Sequence, residues 1–304
     1  MVVTRRRFGL GIAATASVGI PAFWTRQTFG TNNSSPDENG EKEPSPSYTL
    51  GVFPFLPALT LDRVFAPIVR ELNAGTQGTV YFRTKPDFDI FLKEVLAGRY
   101  DFVFVHPFLY VDAAAHAGYR PLVRVKSPLT AVITTTTDSP LQSIRDLHGK
   151  TLALPPQLAA VSEMLKGDIV DANQRLPADI TFRHYLSKSS CIQALAIGKA
   201  DACGLPRFAL SQISGRLVPK LRVIHETQPV ASLTFATHPR VDKTVHTQLR
   251  TNLLRWQTTE EGQRILKERG WSGLIEAQDQ DFDVAREYRS RMTALLGPEA
   301  RHVP

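Results

Sequence analysis

The chain has 304 residues, of which 42% are hydrophobic and 21% are charged, a composition typical of a globular protein with one large domain or two medium ones. The formal net charge is +7, but Lys and Arg are scattered among Asp and Glu, and no basic run with interleaved aromatic residues indicates a nucleic-acid partner. Two cysteines are too few for a disulfide framework or a structural zinc site. The mildly basic balance weakly favours an anionic ligand.

The N-terminal residues predict export to the periplasm. Arg5, Arg6 and Arg7 precede an uncharged stretch of small and apolar residues at 9–23, which is the layout of a secretory signal. Paired arginines followed by Phe8 are typical of the twin-arginine route, although Gly9 stands where that motif prefers Leu. The alternatives are an ordinary secretory signal or an uncleaved anchor. We assign residues 1–30 to the export signal.

Residues 31–47 follow as a polar, Pro-rich stretch, which predicts a disordered linker. The folded body is expected to begin near Tyr48, with three strands that alternate with three helices. The strands are predicted at 48–53, 79–84 and 102–105, and the helices at 59–73, 88–96 and 110–117. This alternation predicts a parallel sheet with helices on both faces.

A second α/β region is predicted after residue 122. Its strands are expected at 122–125, 131–136, 149–154, 180–184 and 201–204, and its helices at 144–147, from about 159, and at 192–197. The chain is extended again over 221–237. Three helices, at 244–256, 262–268 and 283–296, close it with no strand between them, and we expect them to pack back on the first region.

Six short segments, in the same order along the chain, resemble the type 2 periplasmic solute-binding proteins. Within that class they are similar to the PhnD-like family, which binds phosphate, phosphite and phosphonate for ABC transporters. The segments are GVFP at 51–54, the helix at 88–96 with GRYDF at 98–102, PFLYV at 107–111, GYRPL at 118–122, DSP to DLHGK over 138–150, and GKADA at 198–202.

The resemblance implies an α/β fold with two Rossmann-like lobes joined by two crossover strands. The first lobe would hold residues 48–128 and 230–300, the second 129–229, and a small anionic solute would bind between them for delivery to an ABC permease. The alternative is an accessory protein that presents an oxyanion such as arsenite to a membrane histidine kinase. No cofactor or metal motif accompanies the resemblance, and we expect a monomer.

Ligands of open α/β sheets lie at the carboxyl ends of the strands, where helix N-termini offer free backbone N–H groups to anions. This rule nominates the loops 53–55, 85–87, 106–110, 155–162, 184–191 and 204–207. The side chains that we nominate within them for ligand contact are Phe53, Phe55, Lys85, His106, Tyr110, Gln157, Ser162, His184, Ser189, Ser190, Cys191 and Arg207.

Several of these side chains have an equally good structural explanation. His106 precedes a helix and is as well explained as its cap, Tyr110 as a helix-packing residue, and Phe53 and Phe55 as hinge packing. The chain also departs from the family at 158–162, where LAAVS replaces a Ser/Thr-rich turn. Backbone N–H groups remain available there, and the polar stretch at 187–191 is a second candidate for holding the oxyanion.

The two cysteines, Cys191 and Cys203, flank a predicted helix. In an oxidising compartment they can form a disulfide; if they are free, Cys191 at the helix start is a thiol suited to a soft ligand such as arsenite. No motif of a nucleophile elbow, a zinc protease or a P-loop is present, and the spacing of His184 and Cys191 does not indicate a catalytic pair. We therefore predict that the protein is not an enzyme.

Overall fold

A computed structural model describes residues 45–173, 179–212 and 220–296. The predicted export signal and all but the last three residues of the predicted linker lie outside these residues. The first strand begins at Ser47, one residue before the start expected from the sequence.

In chain order, the strands are β1 (Ser47–Val52), β2 (Thr79–Arg83), β3 (Phe102–Val105), β4 (Arg120–Val125), β5 (Ala131–Thr136), β6 (Thr151–Leu154), β7 (Thr181–His184), β8 (Ala202–Pro206), β9 (Leu221–Glu226), β10 (Thr234–Thr237) and β11 (Leu274–Glu276). The α-helices are α1 (Ala58–Ala74), α2 (Phe88–Leu96), α3 (Pro107–Ala117), α4 (Ala160–Asn173), α5 (Lys188–Ala196), α6 (Lys243–Arg255), α7 (Glu260–Arg269) and α8 (Asp283–Leu296). Short 3₁₀ helices lie at Ile144–Leu147, Arg207–Gln212 and Asp279–Phe282.

The first lobe is built on a six-stranded sheet in the order β11-β4-β10-β3-β1-β2. The parallel pairing predicted for the first three strands is confirmed, since β1 pairs in parallel with both β2 and β3. β10 then returns antiparallel between β3 and β4, so the complete sheet is mixed. Every residue of β3 is buried, as its apolar sequence predicts for a central strand.

The second lobe is built on a five-stranded sheet in the order β7-β6-β8-β5-β9. β6 pairs in parallel with β7 and β8, while β5 runs antiparallel to β8 and β9. The chain passes between the two sheets twice, once after β4 and once after β9. At this crossing Leu129 and Val230 form an antiparallel bridge with both N–H to O distances at 2.9 Å. This is the two-lobed arrangement with two crossing segments that the sequence predicts.

The closing segment differs from the prediction in two ways. The strand β11 lies between α7 and α8 and pairs antiparallel with β4. A three-residue strand is too short to produce a periodic pattern in the sequence. In addition, α8 packs on α4 of the second lobe as well as on α3 of the first, because Gly167 leaves room for the ring of Tyr288. Among the described residues, no helix combines the length and apolar character needed to cross a membrane.

Candidate ligand-binding cleft

The carboxyl ends of β1, β2, β6 and β7 lead into a cleft of about 290 Å³ between the lobes. The first lobe lines it with Pro54, Pro86, Asp87, Phe88 and Asp89. The second lobe lines it with Pro156, Gln157, Leu158 and Leu186. Four of the six loops nominated from the sequence therefore contribute to one shared space, as expected when parallel strands from two sheets face each other.

Helix N-termini surround this cleft. Asp87 caps α2, with its carboxylate accepting the N–H of Ile90 at 2.8 Å, and Ser187 caps α5, with its hydroxyl accepting the N–H of Ser190 at 3.1 Å. α4 begins at Ala160, two residues after the cleft residue Leu158. The first N–H groups of a helix have no intrahelical acceptor and carry its positive dipole end. The backbone therefore presents donors to the cleft from both lobes.

The side chains of the cleft carry little positive charge. Of the described residues that line it, two are acidic, Asp87 and Asp89, and none is Lys or Arg. The nearby Lys85 was nominated for ligand contact, but its Nζ lies 3.6 Å from a carboxylate oxygen of Glu94. An anion in this cleft would therefore be held by backbone N–H groups and uncharged side-chain donors.

His106 lies beneath the first-lobe wall of the cleft. It caps α3, and its Nδ1 accepts the N–H of Leu109 at 3.4 Å. The ring packs against Phe53 and Phe88, with centroid distances of 5.4 and 6.3 Å, and only 1% of the residue is exposed. The capping role considered for His106 is therefore observed, and it occupies only one of the two ring nitrogens.

The environment of His106 keeps its imidazole neutral. Burial is the main cause, and the neighbouring positive charge of Arg289 adds to it; together they lower the pKa of His106 to about 3, although the carbonyl of Leu158 acts in the opposite direction. The Leu158 carbonyl thus lies near the ring, but Nε2 is buried without a hydrogen-bond partner among the described residues. The side chain thus has one unsatisfied polar atom next to the cleft.

Phe53 and Phe55 form part of an aromatic layer under the same wall. Their ring centroids are 4.6 Å apart, and Phe53 also contacts Phe88 and Phe104, each at 6.0 Å. Phe53 is buried and does not line the cleft itself. The two rings therefore support the cleft residue Phe88 from below, which is the packing role considered for them.

Tyr110 is directed away from the cleft. Its hydroxyl donates to Asp279 at 2.6 Å, and the residue lines a separate surface groove that also includes Arg286. Burial and the Asp279 carboxylate raise the pKa of Tyr110 above its ordinary value. The expectation that Tyr110 contacts a ligand between the lobes is not met by this geometry, because its helix rotates the ring toward the 3₁₀ helix Asp279–Phe282.

Ser162 and His184 both hydrogen-bond to the carbonyl of Pro155. The Ser162 hydroxyl donates to it at 2.9 Å, and His184 Nδ1 donates to it from the end of β7. Burial lowers the pKa of His184, so its ring stays neutral at physiological pH. The two side chains are therefore engaged in fixing the backbone of the loop at 155–158.

The other nominated side chains are spread over the second lobe. Gln157 lines the cleft, Ser190 pairs its hydroxyl with that of Ser187 at 2.8 Å, Ser189 is exposed at the start of α5, and Arg207 pairs with Glu226 outside the cleft. Cys191 forms a disulfide with Cys203, with their Cα atoms 6.0 Å apart.

Four of the six loops nominated from the sequence line the cleft, but most of the side chains that face it were not nominated. The cleft side chains that were not predicted are acidic or apolar and do not match the donors expected for an anion: Asp87, Phe88, Asp89, Leu158 and Leu186. A signal for Asp87 was present, since an Asp directly before an apolar-periodic segment is a typical N-cap. No such local signal distinguishes Leu158 or Leu186 from ordinary loop residues.

Outside the cleft, α8 joins the two lobes through buried charges. The Arg289 guanidinium lies 3.0 Å from Asp112 on α3 and 2.6 Å from Glu163 on α4. The Tyr288 hydroxyl donates to Asp168 on α4 at 2.9 Å. We call this set of contacts between α8, α3 and α4 the α8 junction. Within residues 45–173, 179–212 and 220–296, no cluster of His, Cys, Asp and Glu could hold a metal ion.

Comparison with known proteins places these features in context. A family model described as the periplasmic substrate-binding protein of a phosphonate ABC transporter matches residues 50–282. No curated protein sequence matches the chain.

Solved structures share the fold at low sequence identity. One is a binding protein component of an ABC phosphonate transporter from Pseudomonas aeruginosa, with 13% identity and a TM-score of 0.68 over 84% of this chain and 92% of that one. Another is PhnD1 from Prochlorococcus marinus in complex with methylphosphonate, with 11% identity and a TM-score of 0.71 over 81% and 98%. A third is a Xanthomonas citri protein bound to chloride ion, with 17% identity and a TM-score of 0.69 over 82% and 98%. The predicted two-lobed fold is confirmed.

Proposed function

The chain belongs to the family of periplasmic phosphonate-binding proteins of ABC transporters, and on that premise we propose that it captures a small phosphonate- or phosphite-like oxyanion between its lobes. The family consists of substrate-binding transport proteins and not of enzymes. The observation that carries the proposal is the convergence of strand ends and helix N-termini from both lobes on one cleft of about 290 Å³. Such ends bind anions without a cationic side chain.

Further parts of the proposal concern the lobes and export. We propose that the first lobe comprises residues 48–128 and 230–300 and the second 129–229; the Leu129–Val230 bridge between the two crossing segments supports this division. Rotation of the lobes about this crossing would enclose the solute and present a closed form to the permease. Residues 1–30 would direct export by the twin-arginine route, and the body would act as a monomer.

The two cysteines do not support the alternative role, an arsenite sensor for a membrane kinase. A soft ligand needs a free thiolate, and Cys191 and Cys203 are joined in a disulfide. No other feature of the described residues favours a kinase partner over a permease. We therefore retain transport as the proposed role.

A thermal-shift screen tests the proposal with methylphosphonate, phosphite, phosphate, methanesulfonate, arsenite and acetate. A ligand present at 100 times its Kd should add about 2.7 kcal/mol to the free energy of unfolding. We expect one or more of the phosphonate-like anions to stabilise the protein, and arsenite and acetate to have no effect. Stabilisation by none of the oxyanions at millimolar concentration would contradict the proposal.

A matched pair of charge variants tests where the anion binds. Asp89 lines the cleft, whereas Asp62 is exposed on α1 away from it. Removing a carboxylate close to a bound anion removes repulsion, so Asp89→Asn should tighten oxyanion binding about threefold at low salt, and Asp62→Asn should leave it unchanged. Weaker binding by Asp89→Asn would instead indicate a ligand that carries a cationic group.

A further inference from the structure

We propose that the cleft selects singly charged oxyanions over doubly charged ones and that His106 supplies a neutral Nε2–H donor to an oxygen of the bound solute. This inference rests on the proposed function, and it names both the class of solute and a residue that donates a hydrogen bond to it. Three independent features of the described residues support it: the charge of the cleft lining, the tautomer of His106 and the unsatisfied state of its Nε2.

The first feature is the charge of the lining. A dianion loses far more hydration energy than a monoanion on entering a partly enclosed site, and it needs a cation to compensate. The described lining has two carboxylates, Asp87 and Asp89, and no Lys or Arg. Helix N-termini offer partial positive charge equivalent to about half an elementary charge each, which matches one negative charge better than two.

The second feature is the tautomer of His106. Its Nδ1 accepts the N–H of Leu109, so Nδ1 carries a lone pair and the single proton of the neutral ring is on Nε2. The cap therefore fixes Nε2 as a donor. Because burial lowers the pKa of this side chain, it stays an uncharged donor throughout the physiological range.

The third feature is that this donor has no partner. Nε2 is buried and makes no hydrogen bond among the described residues, although the ring contacts Phe88, a residue of the cleft wall, at 6.3 Å between centroids. The carbonyl of the cleft residue Leu158 influences the ring from the opposite lobe. His106 thus lies directly behind the cleft lining, in contact with Phe88 of one wall and near the Leu158 carbonyl of the other. A buried donor without a partner is costly unless a ligand oxygen completes it.

Several charged and titratable groups of the protein surround this site. Arg289 on α8 faces the His106 ring and is held by Asp112 and Glu163, and Asp87 and Asp89 face the cleft from α2. On the second lobe, His184 has a pKa below its ordinary value. Any contribution of these groups to the pH dependence would appear with methanesulfonate as well, because that probe keeps a single charge over the whole pH range.

The experiment is isothermal titration calorimetry of the full folded protein from pH 6 to pH 8.5. Two probes of similar shape are compared: methylphosphonate, whose second ionisation lies near neutral pH, and methanesulfonate, which is singly charged throughout. We expect the methylphosphonate affinity to fall as pH rises, approaching tenfold per unit above that ionisation, and the methanesulfonate affinity to stay constant.

Two variants separate the functions of the two ring nitrogens. His106→Asn keeps a side-chain acceptor for the cap but lacks the distant donor, so it should fold with a Tm lowered only by the loss of buried ring volume and lose about tenfold in affinity for both probes. His106→Gln keeps a distant N–H donor but caps poorly, so its Tm should fall while its affinity stays within about threefold of the original.

Each outcome is decisive. Methylphosphonate binding that is constant or stronger at high pH, or a protein that binds methylphosphonate but not methanesulfonate, would overturn selection by charge. Unchanged affinity in a folded His106→Asn variant would overturn the donor role while leaving the proposed function intact. Binding of neither probe by the unaltered protein would overturn the proposed function and this inference together.

Discussion

The cleft and the α8 junction connect the same two lobes with opposite chemistry. The cleft walls bring prolines, Phe88, Leu158 and two carboxylates into proximity. The α8 junction instead joins α3, α8 and α4 through Arg289, which bridges two buried carboxylates. The difference indicates that the protein itself stabilises lobe association at α8, whereas the cleft leaves its donors for a solute.

The largest expected effect is at the α8 junction. The side chains of Arg289, Asp112 and Glu163 are only 17%, 3% and 12% exposed, so Arg289→Met would deprive two buried carboxylates of their guanidinium. Removing one partner from a buried ion pair costs about 3–5 kcal/mol, since the remaining charge stays desolvated. We expect a loss of this size in the free energy of unfolding, measured by urea denaturation.

The matched control is Arg291→Met on the same helix. Arg291 pairs with Asp171 at 2.8 Å, but the two side chains are 43% and 31% exposed. Exposed pairs contribute about 1 kcal/mol or less, so the control should lose far less stability. Equal losses of unfolding free energy in the two variants would show that the buried Arg289 pairs contribute no more to stability than the exposed Arg291 pair.

The second effect concerns acid stability and arises on the cleft side. His106 has a folded-state pKa of about 3 against an ordinary 6.5, so between these values the unfolded chain binds a proton that the folded protein does not. The contribution of neutral His106 is fully present above pH 6.5 and is lost as pH falls toward 3. Over this range the free energy of unfolding should fall by about 1.4 kcal/mol for each pH unit.

Denaturation of His106→Asn and the unaltered protein at pH 7, 6, 5 and 4 measures this contribution. Because Asn does not titrate, the stability of the unaltered protein should fall relative to the variant as pH is lowered. The other histidines with lowered pKa values, His184, His238 and His246, are present in both proteins and cancel in the difference. A pH-independent difference would mean that the pKa of His106 is the same in the folded and unfolded states.

The third effect tests the fit of α8 on α4. A Cβ placed on Gly167 would lie 2.8 Å from Cδ1 of Tyr288. Gly167→Ala should gain helix propensity, but the clash with a buried ring outweighs it, and we expect a net loss of about 1–3 kcal/mol in urea denaturation.

Adding Tyr288→Leu provides the control for Gly167→Ala. If the clash is the cause, the alanine should cost clearly less in the Tyr288→Leu background than alone, which gives a non-additive double-mutant cycle. If the effects of the two substitutions on the free energy of unfolding simply add, the loss caused by Gly167→Ala arises within α4 and not from contact with Tyr288.

The sequence predicted the local elements well where capping and periodicity act together. α2 was predicted at its observed bounds, 88–96, because an apolar pattern with helical spacing is followed by Gly98. It did not predict which lobe α8 would contact, because an amphipathic pattern identifies a buried face but not its partner. The fit of Tyr288 against Gly167 depends on tertiary packing between distant segments.

The candidate site shows the same limit at the level of single side chains. The rule about strand ends nominated four loops that line the cleft, since it depends only on topology. It could not foresee that Ser162 and His184 both turn to the carbonyl of Pro155, because that depends on the backbone path of one short loop. The cap and the free nitrogen of His106 likewise became separable only when the ring orientation was known.

The smallest expected effect is at the cleft wall. Leu186 is 89% exposed although it lines the cleft, so Leu186→Ser removes almost no buried apolar surface and should change the free energy of unfolding by less than about 0.5 kcal/mol. Leu165, fully buried in α4, is the matched control, and Leu165→Ser should cost several-fold more, about 2–5 kcal/mol. Urea denaturation without ligand compares the two. A loss above about 1 kcal/mol for Leu186→Ser would mean that the cleft walls contribute to lobe cohesion even without a solute, and the contrast with the α8 junction would then fail.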